Sequence, residues 1–229
     1  RYPSPRAFGW AISEEQMLGE IQGADVSCVF HAPLPIEKPK FKWRAVKMLT
    51  GGGMIMDSGA HFADMMLYMF GEPEEIYCVM KADDRRLVED APILGTMPAD
   101  VEDSWNALLR FPNDITVNWR YARSYPGPEL VFGRYYGTEG IAVSDEQPVL
   151  HPFQSGGRIE KGEGDTLSND DVLTRYMESL SDEQREQLFP HGCTDGFGVE
   201  VWDFADAILN DRAPEVDGEG GLKAKTLCE

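Results

Sequence analysis

A run of three glycines leads into a candidate helix that carries an acid and a base four residues apart. The stretch from Gly51 to His61 reads GGGMIMDSGAH, which places Asp57 and His61 at positions i and i+4. Side chains with this spacing lie on the same face of an α-helix. Because glycine adopts backbone conformations that are closed to other residues, the run would let a ligand approach the main chain. The stretch therefore predicts a functional site.

Proton transfer is the chemistry that this acid and base favour. An imidazole titrates near neutral pH and can take a proton from a substrate hydroxyl, and a nearby carboxylate can orient it. Two alternatives stay open. Asp57 could cap the helix while His61 bonds to a backbone carbonyl, which is a structural role only. Asp57, His61 and Asp64 could also bind a metal in an isomerase or lyase, but the other histidines form no ligand-like pattern, so we predict no metal.

Composition excludes several classes of protein. The chain has 229 residues, 42% of them hydrophobic, and a formal net charge of −19, so it would repel a nucleic acid backbone. No run of apolar residues is long enough to span a membrane, and the N-terminus has neither an apolar signal region nor an initiator Met. We interpret the chain as a cytoplasmic fragment. Its four cysteines form no C-x-x-C pair, so we expect reduced, mostly buried thiols and no zinc knuckle.

The acid and base need a helix to position them, and the pattern predicts one over residues 57–70. Asp57, His61, Asp64 and Tyr68 follow one face, an apolar stripe follows another, and Gly71 comes directly after the last helical residue. Further helices are predicted over residues 9–22, 172–188 and 199–209, and a last candidate over 222–229.

Short runs of β-forming residues predict a sheet. The strand candidates are residues 25–33, 75–82, 104–111, 115–125, 130–137 and 141–144. Turn signals at 112–114 and 137–140 indicate that consecutive strands are antiparallel neighbours. The basic residues between 38 and 47 alternate with apolar or neutral ones, which is typical of a solvated strand face. Residues 154–171 are polar and rich in glycine, and we expect a mobile surface loop there.

These elements predict one α+β domain over residues 1–229. It would have a predominantly antiparallel open-faced sheet with helices packed on one side. Its parts would be a leading helix (1–24), the glycine-led helix and the sheet (25–150), a polar insertion (151–198) and closing helices (199–229).

Several motifs in this order resemble a known protein family. They are Trp43-Arg44, the glycines 51–53, the run from Asp57 to His61, then Asp64, then Gly71-Glu72-Pro73. This series resembles the C-terminal domain of the glucose-fructose oxidoreductase, inositol dehydrogenase and MocA (Gfo/Idh/MocA) family, with its W-R, GGG, D-x-G-x-H, D and L-G-x-P signature. Looser similarities are an opening like R-Y-x-P, which contains Tyr2, then Val101-Glu102-Asp103, residues 137–140, and V-x-D-F-A-D-A-I at 201–208.

The resemblance implies an NAD(P)-dependent oxidoreductase that acts on a sugar, cyclitol or related polyol. It assigns proton transfer to His61, with Asp57 orienting that histidine or the substrate. It also implies that Trp43 and Arg44 border the substrate pocket, that Asp64 and Tyr2 bind substrate, and that the open sheet face packs against another subunit in a homo-oligomer.

The family binds NAD or NADP in a Rossmann domain that precedes this part. The sequence has no G-x-G-x-x-G between a strand and a helix, so we expect no cofactor-binding residue in this chain. Glu37-Lys38-Pro39 matches the family's E-K-P motif in composition, but only eleven residues separate it from the glycines, and we interpret it as a coincidence. The alternative function is a non-catalytic binding or oligomerisation module of the same fold.

Overall fold

An eight-stranded sheet forms the centre of the molecule. The computed structural model describes residues 1–146 and 148–229, leaving aside the side chain of Glu163. The strands are β1 (Ile21–Val29), β2 (Glu75–Lys81), β3 (Leu87–Ala91), β4 (Gly95–Pro98), β5 (Ser104–Arg110), β6 (Thr116–Ala122), β7 (Leu130–Gly137), β8 (Gly140–Val143), β9 (Arg158–Lys161) and β10 (Thr166–Leu167). The sheet order is β10-β9-β8-β7-β1-β6-β5-β2, and β3 and β4 form a separate hairpin. Among the described pairs only β1 and β6 run parallel, so the predicted, largely antiparallel α+β fold is confirmed.

Nine helices pack around this sheet in the described part of the chain. They are α1 (Pro3–Ser13), α2 (Pro39–Lys42), α3 (Lys47–Thr50), α4 (Met54–Asp57), α5 (Gly59–Phe70), α6 (Asn169–Ser179), α7 (Asp182–Leu188), α8 (Gly196–Leu209) and α9 (Gly218–Cys228). None of them is both long enough and apolar enough to cross a membrane.

The main core lies between one face of the sheet and the helices. Burial alternates along β5 and β6, so every second side chain points toward α5 and its neighbours. Phe62 on α5 stacks on Trp119 with ring centroids 4.5 Å apart, and Trp105 stacks on Tyr121 at 4.4 Å. The opposite face of the sheet carries exposed side chains and stays open.

A second, smaller apolar cluster lies beside the glycine run. It joins residues from the segment before that run to residues of the β3–β4 hairpin, namely Ile36, Ala45, Val46, Val88, Ala91 and Ala99. Because these side chains are buried against one another, the cluster fixes the segment from 34 to 49 although that segment has little regular structure.

The leading helix differs from its prediction over residues 9–22. Helix α1 begins at Pro3, where proline favours a first helical turn, and ends at Ser13. The residues after it form a turn in which Gln16 and Gly19 have positive φ, and β1 begins at Ile21. The apolar Met17 and Leu18, which imitate a helical stripe in the sequence, are buried in this turn.

Three other expectations are also wrong in detail. The basic segment 38–47 forms α2, a 3₁₀ turn and the start of α3 instead of a strand face. The stretch 154–171, expected as a loop, contains β9 and β10, which extend the sheet. The helix expected over 172–188 is two helices, since Ser168 and Ser181 each cap a separate start.

The cysteines and α8 also depart from the expected burial. All four cysteines are free, and only Cys28 and Cys228 are buried. Helix α8 exposes most of its apolar stripe to solvent, including Phe197, Phe204 and Leu209. An apolar stripe at helical spacing therefore predicts the helix here but does not predict that this chain covers it.

Candidate functional site

A cavity of about 330 Å³ opens beneath the glycine run. Its walls come from the segment 43–57, from the residues that precede β5, from Asp84, and from Arg123 directly after β6. The small apolar cluster supports one of these walls through Ala45 and Ala99, which are buried in the cluster and also line the cavity.

Backbone conformation explains the first of the three glycines, and close packing within the chain explains the other two. Gly51 ends α3 with φ of +79°, a left-handed conformation that favours glycine. A Cβ on Gly52 would lie 2.3 Å from the Met56 side chain, and one on Gly53 would lie 2.1 Å from the backbone oxygen of Glu102. The Gly53 N–H also donates a 2.5 Å hydrogen bond to Glu102 Oε1. The group that approaches this main chain is therefore Glu102, although Gly52 and Gly53 still line the cavity.

Three of the predicted site residues come together at the cavity. Arg44 and Asp57 form an ion pair, and the Arg44 guanidinium lies 6.0 Å from the centre of the Trp43 ring. Trp43 is 46% exposed, and its indole N–H donates to the Lys40 carbonyl at 3.0 Å. The cavity thus presents an aromatic face next to a charged pair, which is an arrangement that can hold a polar ligand with an apolar ring face.

Further charged residues in the cavity were missed by the sequence reasoning. Asp103 is 5% exposed, and its carboxylate accepts hydrogen bonds from the backbone N–H groups of Asp83 and Asp84 at 2.7 and 3.0 Å. The hydrogen bond from Arg86 lowers the pKa of Asp84. The motif Val101-Glu102-Asp103 could have indicated Glu102 and Asp103, whereas Asp84 and Arg123 carry no signal in the sequence.

The cavity is acidic overall. Its lining holds the two arginines Arg44 and Arg123 against four carboxylates, and Arg86 pairs with one of these, Asp84, from outside the lining at 2.7 Å, which leaves an excess of one negative charge when all are ionised. Carboxylates accept hydrogen bonds and guanidinium groups donate them, so both can bind hydroxyl groups. A negatively charged ligand would be repelled by this excess.

His61 lies outside the cavity lining, on the first turn of α5, and is exposed. A break at Ser58 separates α4 from α5, and Arg44 takes the Asp57 carboxylate. Among the described residues there is no hydrogen bond or ion pair between Asp57 and His61, so the contact that the helical spacing predicts is not formed. The imidazole instead contacts His151, with ring centroids 4.6 Å apart.

The remaining two predicted residues have other partners. The carboxylate of Asp64 pairs with the Arg1 guanidinium at 2.8 Å. Tyr2 packs edge-on against Phe197, with centroids 6.3 Å apart, and its ring covers Gly196. Neither side chain lines the cavity.

The donor set around the glycine run does not fit a dinucleotide. Glu102 already accepts the Gly53 N–H, and its negative charge would repel a pyrophosphate at that position. Within residues 1–146 and 148–229, no group of three or more histidines, cysteines and acids is placed to hold a metal ion.

Comparison with protein families decides the relationship. The model of the GFO/IDH/MocA C-terminal domain matches residues 11–143, which is more than half of the chain. The chain belongs to the Gfo/Idh/MocA family. The match includes the glycine run, α5 and the central strands.

Solved structures share the fold of this Gfo/Idh/MocA domain. An NAD binding oxidoreductase from Klebsiella pneumoniae is 20% identical with a TM-score of 0.68, and the match covers 99% of this chain and 59% of that one. An aldose-aldose oxidoreductase from Caulobacter crescentus, complexed with glycerol, is 21% identical with a TM-score of 0.65, covering 99% and 56%. A levoglucosan dehydrogenase in complex with NADH is 18% identical with a TM-score of 0.67, covering 99% and 59%.

The chain thus spans less than two thirds of the length of these oxidoreductases. At these identities the similarity establishes the fold alone. A sequence comparison with curated proteins gives no match.

Proposed function

We propose that this chain is the substrate-binding and proton-transfer domain of an NAD(P)-dependent oxidoreductase that acts on a sugar, cyclitol or related polyol. The observation that carries the proposal is the cavity beneath the glycine run, where Trp43, Arg44 and Asp57 meet in a domain of the Gfo/Idh/MocA family. Its volume of about 330 Å³ lies within the range of about 300–1,000 Å³ that is typical of small-molecule sites.

The charge of the cavity favours an uncharged substrate. With four carboxylates against Arg44, Arg123 and the Arg86 that pairs with Asp84, the cavity would attract hydroxyl groups and disfavour a sugar phosphate or a sugar acid. A neutral polyol can donate to Asp57 or Asp84, accept from Arg44 or Arg123, and place its apolar ring face on Trp43. We therefore place neutral sugars and polyols ahead of anionic ones.

The residues divide into binding and proton-transfer roles. Arg44, held by Asp57, would orient the substrate hydroxyls, and His61 would take the proton of the hydroxyl that is oxidised. His61 is exposed in the first turn of α5, which leaves its ring accessible to a bound substrate. A nicotinamide cofactor, NAD or NADP, would accept the hydride when bound by a part of the protein outside this chain.

The role of His61 can be tested on the complete gene product with a panel of polyols. His61→Ala should lower turnover about 10²- to 10⁴-fold, because a positioned general base contributes about that factor. Cofactor affinity should not change, since no cofactor contact is assigned to this residue. His191→Ala, at a histidine whose side chain is 74% exposed, is the matched control. If His61→Ala and the control have equal turnover, His61 does not take part in proton transfer.

The open face of the sheet supports the proposal of a homo-oligomer. Tyr77 on β2 and Leu108 on β5 are direct cross-strand partners, and they are 70% and 46% exposed. This exposed apolar pair lies at the β2 edge of the open face and suits contact with another subunit. We expect Leu108→Asp to convert the oligomer to monomers in light scattering, whereas Leu209→Asp, at an exposed position on α8, should not.

The alternative is a non-catalytic binding or oligomerisation module, and the open sheet face is the observation that favours it. Both functions predict loss of assembly in Leu108→Asp, so turnover is the result that separates them. If the chain is a non-catalytic module, the complete gene product would turn over no polyol with or without His61.

A further inference from the structure

A second imidazole lies against His61, and neither the family signature nor the cavity includes it. The rings of His61 and His151 have centroids 4.6 Å apart, and their planes are tilted by 38°. His61 is exposed, whereas His151 is half-buried in the segment that follows β8. The two residues lie far apart in the sequence, so no local pattern indicates their contact.

The segment that carries His151 is held in place by buried contacts. The Phe153 N–H donates to the hydroxyl of the fully buried Ser144 at 3.0 Å, and the Gln154 N–H donates to the His151 carbonyl at 3.2 Å. The fully buried Phe153 ring stacks on Phe8 of α1 at 4.4 Å with the two planes nearly parallel. The position of His151 is therefore set by the core.

Backbone strain accompanies this arrangement. Phe153 has φ of +59°, a left-handed conformation that is uncommon for an aromatic residue. Such a conformation costs free energy and persists only where surrounding contacts enforce it, and it is concentrated at functional sites. The strained residue lies two positions from the histidine that contacts His61.

The acids next to His61 in the sequence are paired with arginines, and the segment around His151 contains no other titratable group. On the face of α4 and α5 that carries His61, the acids one turn away are Asp57 and Asp64, which pair with Arg44 and Arg1. The segment 148–157 contains no titratable side chain except His151. Burial first, and then the proximity of His61, lower the pKa of His151, so this imidazole is neutral at neutral pH.

We infer that His151 is a positioning residue for His61, holding the plane of that ring by direct contact. This inference rests on the proposed function, in which His61 takes the substrate proton. A neutral ring in contact with the base restricts its orientation and adds no charge that would oppose its protonation during the reaction.

Histidine titration by NMR tests the pair independently of activity. The chain has four histidines, and their ring signals can be followed with pH. In His61→Gln the midpoint of His151 should rise toward the ordinary value without reaching it, because burial remains. His31 and His191 serve as internal controls, and a His151 midpoint unmoved in His61→Gln would overturn the pairing.

Kinetics of the complete gene product test the positioning role. His151→Ala should lower kcat about tenfold with KM changed less than about twofold, because a misoriented base weakens the transition state more than substrate binding. His151→Phe should recover most of kcat, since it keeps a ring against His61. On the acid side of the wild-type pH profile, the slope of log kcat against pH should approach two. In His151→Phe this slope should stay at one.

Failure of this inference and failure of the proposed function give different results. If His61→Ala is inactive while His151→Ala matches the wild type in kcat and in the slope of the acid limb, the positioning role is overturned and the proposed function stands. If His61→Ala keeps full turnover, the proposed function fails first. Comparison of His151→Ala with His151→Gln guards against misfolding, because the glutamine keeps much of the side-chain volume.

Discussion

Asp57 and His61 lie on either side of the break at Ser58, and their surroundings differ. Asp57 ends α4, pairs with Arg44 and lines an acidic cavity. His61 begins the next helix, is exposed, and contacts a half-buried imidazole. Their spacing predicts a joint acid and base, whereas the structure gives each a different partner. The helical spacing is interrupted between α4 and α5, and distant parts of the chain determine the electrostatic environment of each side chain.

The same comparison extends to Asp64, one turn further on. Its carboxylate is paired with Arg1, just as that of Asp57 is paired with Arg44. His61, which lies between these two acids in the sequence, has no arginine partner among the described residues. We expect substitutions on the Asp57 side to affect substrate binding and those on the His61 side to affect turnover.

The largest effect on the Asp57 side is expected from Gly53→Ala. A Cβ at this position would lie 2.1 Å from the Glu102 backbone oxygen, so the bend that forms the cavity must move. We expect a loss of about 3 kcal/mol in the free energy of unfolding, typical of severe overpacking, together with loss of substrate binding. Urea denaturation measures the first quantity. Gly221→Ala on α9 meets no atom within 4 Å and should leave stability equal or slightly higher. Equal stability of both variants would contradict the packing explanation of the glycines.

Arg44→Ala should give the next largest effect. It should change substrate binding more than the free energy of unfolding. The ion pair with Asp57 is 34% and 48% exposed on its two sides, so its loss should cost at most about 1 kcal/mol of stability. KM for the neutral polyol should rise about tenfold, because a charged hydrogen bond to the substrate is lost and the Asp57 carboxylate becomes free. Steady-state kinetics of the complete gene product would measure this. Arg44→Lys keeps the charge and should recover part of the affinity. An unchanged KM in Arg44→Ala would show that the substrate does not bind in the cavity.

The smallest effect is expected from Asp64→Asn. Since Asp64 pairs with Arg1 and lies outside the cavity lining, kcat and KM should each change less than about threefold. Asp57→Asn is the informative companion because it changes the same chemical group at the cavity. A larger kinetic loss in Asp64→Asn than in Asp57→Asn would contradict the expectation that Asp57 lies at the substrate site and Asp64 does not.

Much of the fold could be predicted from local patterns. Helix α5 follows from its apolar periodicity and from Gly71, and β5 and β6 follow from alternation on either side of a turn signal. The short helices between 39 and 50 could not be predicted, because the small apolar cluster with the β3–β4 hairpin places them. Helix propensity over four residues is too weak to indicate them.

The site was predictable only where its residues lie close in sequence. Trp43, Arg44 and Asp57 fall within fifteen residues and meet at the cavity. Asp84, Arg123 and His151 reach the site through the packing of other elements, and no sequence spacing connects them with α5.

The central claim is that an uncharged polyol occupies the cavity beneath the glycine run. The indole N–H signal of Trp43, assigned with Trp43→Phe, reports on this directly in two-dimensional NMR while a panel of neutral and anionic sugars is added. We expect a saturable shift of the Trp43 signal with a neutral polyol that the complete gene product oxidises, no shift with its phosphate ester, and no change at Trp202 on α8. An unmoved Trp43 signal with a polyol that the enzyme oxidises would contradict the account.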